Sequence, residues 1–143
     1  MTRYIDIVYS WQRRLALPGV FLLSSALIIS AARGDLWLDE IWSLSFALTS
    51  HSLTDIFTQF RHDNNHVLNT LFLYCIGEQK MLWVYRLFSV VSGIGSVFLG
   101  AYIAKKNWGY PEALCSAVLI GTSYPLVIYY SEARGYAPAI FLL

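Results

Sequence analysis

Three polar segments contain the side chains that could do chemistry in this otherwise apolar chain. The first, "LWLDEIWSL" at residues 36–44, places the adjacent acids Asp39 and Glu40 between Trp37 and Trp42. Neighbouring helical residues point about 100° apart, so one carboxylate can face a cavity while the other meets a different partner. A carboxylate set among aromatic side chains accepts a proton more readily than one in water, which suits a general base. An acid that only caps a short helix is an equally good interpretation.

The second segment, "RHDNNHVLNT" at residues 61–70, precedes an apolar stretch that predicts a short helix. The start of a helix favours an anion, so a phosphate group could bind there with His66 or Arg61 as its cationic partner. The alternative is a polar turn in which Asp63 or Asn65 caps the helix. The two histidines and the aspartate could also ligate a metal ion, although their spacing is not that of a known metal motif.

The third segment, "YYSEARGY" at residues 129–136, places Glu132, Arg134 and Tyr136 directly after a long apolar run. Arg134 could pair with a phosphate through two parallel hydrogen bonds, or it could simply extend to lipid headgroups. Arg86 is a weaker candidate, because a charge at the mouth of an apolar helix is typical of a side chain that reaches for the membrane surface.

The composition indicates that part of the solvent is lipid. The chain has 143 residues, of which 57% are hydrophobic and only 13% charged, against about 25% charged in soluble domains. The net charge of +1 and the lack of a basic run exclude an electrostatic footprint for nucleic acid. Cys75 and Cys115 lie in apolar segments and are predicted to be unpaired and buried.

The apolar runs predict an all-α integral membrane protein with transmembrane helices at about 15–32, 86–104 and 112–130. Each run is close to the roughly 20 residues that a helix needs to cross a bilayer. The loop at 33–83 is expected to carry short amphipathic interfacial helices, with Ser52 as a cap of one of them. A further run, "GYAPAIFLL" from residue 135, predicts the start of a fourth helix. We therefore expect residues 1–143 to be the N-terminal part of a larger transmembrane domain.

The distribution of charge predicts the orientation of these helices in the membrane. Basic residues flank the predicted cytoplasmic ends, at Arg3, Arg13, Arg14, Lys105 and Lys106. By the positive-inside rule the N-terminus is cytoplasmic and the acid-rich loop 33–83 is extracytoplasmic. Three crossings then return segment 131–136 to the extracytoplasmic side. Topology thus predicts that the candidate acids, His66 and Arg134 share one compartment, and we expect them to meet at a common cavity.

The order of these features resembles the type C membrane glycosyltransferases, in particular the protein O-mannosyltransferase and aminoarabinose transferase branch. The resemblance rests on a first transmembrane helix, "LDE", "NNH" before a short apolar helix, and "YYSEARGY" after the third span. It covers nearly the whole chain, as the N-terminal portion of such an enzyme. Members of that family usually have proline after the histidine or lysine of the second motif, where this chain has Val67.

The resemblance implies transfer of a sugar from a polyprenyl- or dolichyl-phosphate donor to an extracytoplasmic glycan, lipid or protein. It assigns Asp39, with Glu40 beside it, to the acid that serves as base or metal ligand, so a divalent metal ion is a candidate cofactor. His66 and Arg134 correspond to residues near the donor phosphate, and Arg61 is a third candidate for that role. The expected substrate cavity comprises Trp37, Trp42, Asn65, Glu132 and Tyr136.

Two other classes of function fit the same sequence. A small membrane scaffold or assembly subunit would use the small residues Gly93, Gly95, Ser96 and Gly100 for helix–helix packing, and its acids would be solvated loop charges. A transporter half fits less well, because no charged residue lies in the middle of a predicted span.

Overall fold

The computed structural model describes residues 2–59 and 65–143, with side chains from residue 15 onward, and the described part is helical without strands. The all-α prediction is therefore confirmed. In chain order the α-helices are α1 Thr2–Ala31, α2 Leu38–Thr49, α3 Leu53–Thr58, α4 Val67–Ile76, α5 Leu87–Asn107, α6 Tyr110–Thr122, α7 Tyr124–Ser131 and α8 Tyr136–Leu142, and a 3₁₀ helix at Leu82–Arg86 leads into α5.

One described helix is both long and apolar enough to cross a bilayer, the continuous element Leu82–Asn107. Helices α6 and α7 would form a second crossing if they are one bent span, whereas the apolar part of α1, Leu15–Ala31, is shorter than this standard requires. These lengths fit an association with membranes. The three crossings expected from the sequence stay a prediction.

The predicted third span is broken in the middle. Helices α6 and α7 meet at Ser123 with a bend of 61°. Pro125 explains the break, because its ring lacks an N–H donor and would clash with the carbonyl four residues earlier in a continuous helix. The single helix predicted at 112–130 is therefore wrong in shape, and the bend directs α7 towards α8 and the polar turn between them.

Helix α5 is the centre of the bundle, and its glycines let neighbouring helices approach closely. A methyl group at Gly93 would collide with the base of the Tyr130 ring on α7, and one at Gly95 would collide with Phe141 on α8. Tyr130 is fully buried in the same core as Ile28 of α1. The small-residue pattern that could serve a partner helix is thus used, at these two positions, for packing within the chain.

Three short helices, α2, α3 and α4, occupy the segment predicted to form the first loop, and Ser52 is the N-cap of α3 as expected. They cover one end of the bundle through a second core, which contains Ala47, Leu73 and Ala133. The inward face of α2 consists of polar and small residues, among them Glu40, whereas Trp42 is 42% exposed. The short helices are therefore attached to the bundle partly by polar contacts, and these contacts form the candidate site.

The two cysteines are unpaired as predicted, but they are not buried. Cys75 on α4 and Cys115 on α6 both lie on outward-facing surfaces of their helices. An apolar segment does not specify which of its residues face the core, because α4 and α6 are apolar nearly all round.

Candidate functional site

The first and third polar segments meet at the end of the helical bundle. Nη2 of Arg134 lies 3.0 Å from Oδ2 of Asp39, and Nη1 lies 3.5 Å from Oε2 of Glu132. The Arg134 guanidinium also lies 4.7 Å from the centre of the Tyr136 ring and donates a hydrogen bond to its hydroxyl at 3.1 Å. One arginine thus joins two carboxylates and a phenol that the sequence spreads over almost 100 residues. These contacts bring Asp39, Glu132 and Arg134 together.

His66 completes this cluster through Tyr136. The two rings meet edge to face, with centroids 4.8 Å apart. A side chain at Gly135 would collide with His66, so glycine is needed for the approach. Burial lowers the pKa of His66, the positive charge of Arg134 lowers it further, and the negative charge of Asp39 opposes both. His66 is therefore held towards its neutral form and is better suited to a hydrogen bond than to a full charge on a phosphate.

Glu132 lies between the cluster and a neighbouring cavity. Its side chain is only 11% exposed, and burial raises the pKa of its carboxyl group against the opposing effect of Arg134. The cavity has a volume of about 580 Å³ and is also lined by Trp37, Leu38 and Ile128. A partly desolvated carboxyl group beside an aromatic wall is a suitable contact for a substrate hydroxyl.

Glu40 differs from its neighbour Asp39 in every respect that matters for chemistry. The Asp39 side chain is 43% exposed, whereas that of Glu40 is fully buried and forms an ion pair with Arg86 at 2.6 Å. Oε1 of Glu40 accepts hydrogen bonds from Nε of Arg86 at 2.8 Å and from the backbone N–H of Ala133 at 2.5 Å. Oε2 accepts from Nη2 of Arg86 and, at 2.8 Å, from the backbone N–H of Trp37. All the acceptor positions of this carboxylate are occupied.

Arg86 was expected to reach for the membrane surface, and this interpretation is wrong. The residue is 2% exposed. Besides its bonds to Glu40, it donates hydrogen bonds to the carbonyl groups of Ala32, Gly34 and Asp35 at 2.7–3.0 Å. These carbonyls follow the end of α1, where a helix has no partners of its own for its last C=O groups. All five N–H donors of the guanidinium are thereby used, which compensates for its removal from water.

The backbone of the turn that carries Arg134 is held from three helices. The N–H of Ala133 is bound by Glu40 on α2, and the carbonyl of Ala133 accepts a hydrogen bond from Nδ2 of Asn69 on α4 at 2.8 Å. The carbonyl of Arg134 accepts one from the hydroxyl of Ser89 on α5 at 3.1 Å. Asn69 and Ser89 are fully buried. The turn is therefore held by hydrogen bonds from α2, α4 and α5.

Several buried polar atoms at this site have no hydrogen-bond partner within the described structure. They are Nε2 of His66, Oδ1 of Asn69 and Nε of Arg134. Buried polar groups in folded proteins are nearly always paired with protein, water or ligand. Two of these atoms, Nε2 of His66 and Nε of Arg134, belong to side chains that also contact Tyr136.

Other predicted site residues have different surroundings. Asn65 donates a hydrogen bond to the carbonyl of Ile56 and accepts one from Thr70, so its amide joins α3 to α4 rather than facing the cluster. Trp37 and Trp42 are both largely exposed, and Trp37 lines the cavity beside Glu132. Arg61 lies outside the described residues.

The described side chains do not provide a metal site. In residues 15–59 and 65–143 no three His, Cys, Asp or Glu side chains are grouped so that they could hold an ion. Asp39 and Glu132 both contact the guanidinium of Arg134. No step in the proposed chemistry is therefore assigned to a metal.

Reasoning from the sequence misinterpreted Arg86 and missed Asn69 and Ser89. A signal for Arg86 was available, because the predicted topology places it in the same compartment as Glu40 in a chain with very few charges. Two opposite charges at an apolar boundary lower their free energy by pairing. Nothing in the sequence distinguishes Asn69 or Ser89 from other polar residues on apolar helices.

Comparisons with models of known protein families, with curated proteins and with solved structures find no match to this chain. The case for a function therefore comes from the chemistry of the cluster formed by Asp39, His66, Glu132, Arg134 and Tyr136.

Proposed function

We propose that the protein is an integral membrane glycosyltransferase that moves a sugar from a polyprenyl- or dolichyl-phosphate donor to an extracytoplasmic acceptor. The observation that carries this proposal is the contact of 3.0 Å between Arg134 and Asp39. It combines a cation suited to a phosphate with an accessible carboxylate suited to an acceptor hydroxyl. The acceptor is a glycan, a lipid or a protein, and the resemblance in the order of motifs supports this class of reaction.

The chemistry needs only a few groups, because a lipid phosphate is already a good leaving group. The acceptor hydroxyl must lose a proton to a base, and the negative charge on the departing phosphate must be stabilised. In the proposed reaction Asp39 takes the proton while Arg134 binds the phosphate oxygens through its planar guanidinium. His66 donates a hydrogen bond to the donor, and Arg61 is a further candidate contact for the phosphate.

The unpaired polar atoms support a ligand at this position. Nε of Arg134 is a buried donor without a partner, and Nε2 of His66 can donate or accept according to which ring nitrogen carries the proton. A phosphate or sugar oxygen would pair with the arginine donor. The adjoining cavity of about 580 Å³, with its Trp37 wall, has room for a sugar ring.

The outer surface of the bundle supports a membrane location for the proposed enzyme. Leu22 on α1, Val91 and Phe98 on α5 and Leu119 on α6 are all more than 60% exposed. Large apolar side chains on the outside of a helical bundle are stabilised by lipid rather than by water. In the proposed arrangement α1, α5 and the bent pair α6–α7 cross the membrane, the N-terminus is cytoplasmic, and segment 33–83 is extracytoplasmic.

The first test is the substitution Asp39→Asn in the full-length protein. It keeps the size of the side chain but removes the negative charge, so we expect transfer to fall by at least about 100-fold, the usual contribution of a general base. Transfer is measured in membranes with a panel of polyprenyl-phosphate sugars, with expression and insertion checked by immunoblotting. Asp55→Asn is the matched control, because Asp55 is an acid that binds backbone N–H groups at the start of α3, away from the cluster.

Two results would count against the proposal. Near-normal transfer by the Asp39→Asn variant would remove Asp39 from the mechanism. Absence of transfer by the wild-type protein with every donor would favour the non-enzymatic scaffold instead.

A further inference from the structure

Glu40 and Asp39 are neighbours in the sequence, and the proposed function gives chemistry only to Asp39. We infer that Glu40 is a positioning residue, which through Arg86 and the Ala133 N–H fixes the distance between Asp39 and Arg134. The part of this inference that concerns transfer rests on the proposed function. The part that concerns geometry does not, and it can be measured in a protein with no activity at all.

All four acceptor positions of the Glu40 carboxylate are occupied, so none remains for a substrate. This carboxylate is fully buried and accepts four hydrogen bonds, two from Arg86 and one each from Trp37 and Ala133. A proton or a substrate oxygen could reach it only by displacing one of these donors. Glu40 therefore acts through the groups that it holds.

The two backbone N–H groups that Glu40 binds lie close to Asp39 and to Arg134. The N–H of Trp37 belongs to the N-terminus of α2, two residues before Asp39. The N–H of Ala133 belongs to the residue before Arg134. One carboxylate thus binds backbone N–H groups within two residues of both Asp39 and Arg134. The bond to Ala133 joins residues that are 93 positions apart in the sequence.

The Glu40 carboxylate is itself held in place by Arg86. Arg86 holds it through two hydrogen bonds and is in turn fixed to three carbonyl groups after the end of α1. Removing one partner of a buried, fully hydrogen-bonded ion pair is strongly destabilising, because the other charge is left buried without compensation. The C-terminal ends of α1 and α7 and the N-terminal ends of α2 and α5 are therefore joined at one point.

The inference is tested by measuring the separation of α2 and α8 in detergent or nanodiscs. Spin labels are placed through Ile41→Cys and Ala139→Cys, both exposed positions, in a chain carrying Cys75→Ser and Cys115→Ser. Pulsed electron–electron double resonance gives the distribution of distances between the labels. We expect a single narrow distance with Glu40 present.

Two substitutions of Glu40 separate its roles. Glu40→Gln keeps the volume but places an amide against donors, and we expect the distance distribution to broaden. Glu40→Asp keeps the charge and its attraction to Arg86 but shortens the side chain, so it loses the bond to Ala133 and also broadens the distribution. Asp55→Asn is the control, because it removes another carboxylate that binds backbone N–H groups at a helix start and should leave the distribution narrow.

If the protein transfers sugar, the same Glu40 variants should lower kcat by roughly 100-fold per correctly folded molecule, as expected for a displacement of about 1 Å between reacting groups. An unchanged distance distribution in both folded Glu40 variants overturns the inference. Equal broadening in the Asp55→Asn control also overturns it, because the effect would then be general loosening. A wild-type protein without transfer, but with the expected distances, sinks the proposed function and leaves the positioning role standing.

Discussion

At the scale of single residues, two adjacent acids are separated by their surroundings rather than by their chemistry. Glu40 is enclosed by four donors, whereas Asp39 shares the guanidinium of Arg134 with Glu132 and has a side chain that is 43% exposed. The same distinction applies to the cations. Arg86 has every donor occupied within the chain, whereas Arg134 has one buried donor without a partner. In the proposed reaction the less enclosed residue of each pair, Asp39 or Arg134, is the one that meets the ligand.

His66 gives a prediction that concerns pH. The folded chain favours neutral His66, whereas the unfolded chain protonates it near the ordinary value of 6.5. Stability from this group is therefore fully present above pH 6.5 and is lost as the pH falls towards the lower pKa of the folded state. We expect the midpoint temperature of thermal unfolding to decrease less between about pH 7.5 and about pH 5.5 in His66→Gln than in the wild-type protein.

The control for this experiment is His51→Gln. His51 is exposed in the turn between α2 and α3, away from Arg134, Asp39 and Tyr136, which face His66. This variant should keep the wild-type dependence on pH. An equal loss of stability in wild type and His66→Gln would show that His66 is not held neutral.

At the scale of elements, close approach between helices sets where the polar turn begins. Gly93 lets Tyr130 of α7 pack directly on α5. The break at Ser123 then lets α7 leave the direction of α6 and deliver Glu132 to the end of the bundle. The position of the cluster therefore depends on small residues and on one proline in helices that contain none of its side chains.

The substitution Gly93→Ala tests this packing. The added methyl group would meet the base of the Tyr130 ring, which cannot move without its backbone, so we expect a loss of about 1–3 kcal/mol in the free energy of unfolding. Gly19→Ala in α1 is the matched control, because nothing lies within 4 Å of its added methyl group. It should be neutral or stabilising by up to about 1 kcal/mol. Equal unfolding midpoints in detergent for the two variants would contradict close packing at Gly93.

At the scale of the whole molecule, the structure has two cores with different surroundings. One core lies inside the bundle around Val97 and Tyr130, and the other joins the short helices to the turn through Ala133. The cluster lies where the two cores meet. This placement agrees with the proposed arrangement, in which the bundle is in lipid and the short helices are outside the cytoplasm.

The proposed topology can be measured with cysteines placed by substitution in the background lacking Cys75 and Cys115. We expect the His51→Cys variant to react with an impermeant thiol reagent in right-side-out vesicles. The Asn107→Cys variant, at the end of α5, should react only in inside-out vesicles. Reaction of both positions from the same side would rule out an odd number of crossings between them and, with it, the proposed orientation.

The sequence by itself determined the helical class and the segments that carry the polar residues. These features follow from hydrophobic run length and from the distribution of charge, which are local properties of the chain. Only the tertiary structure decided which of the two adjacent acids is buried and which cation holds it. Asp39 and Glu40 stand in equivalent local settings, and the choice between them depends on Arg86 and Ala133, which packing brings to α2 from distant parts of the chain.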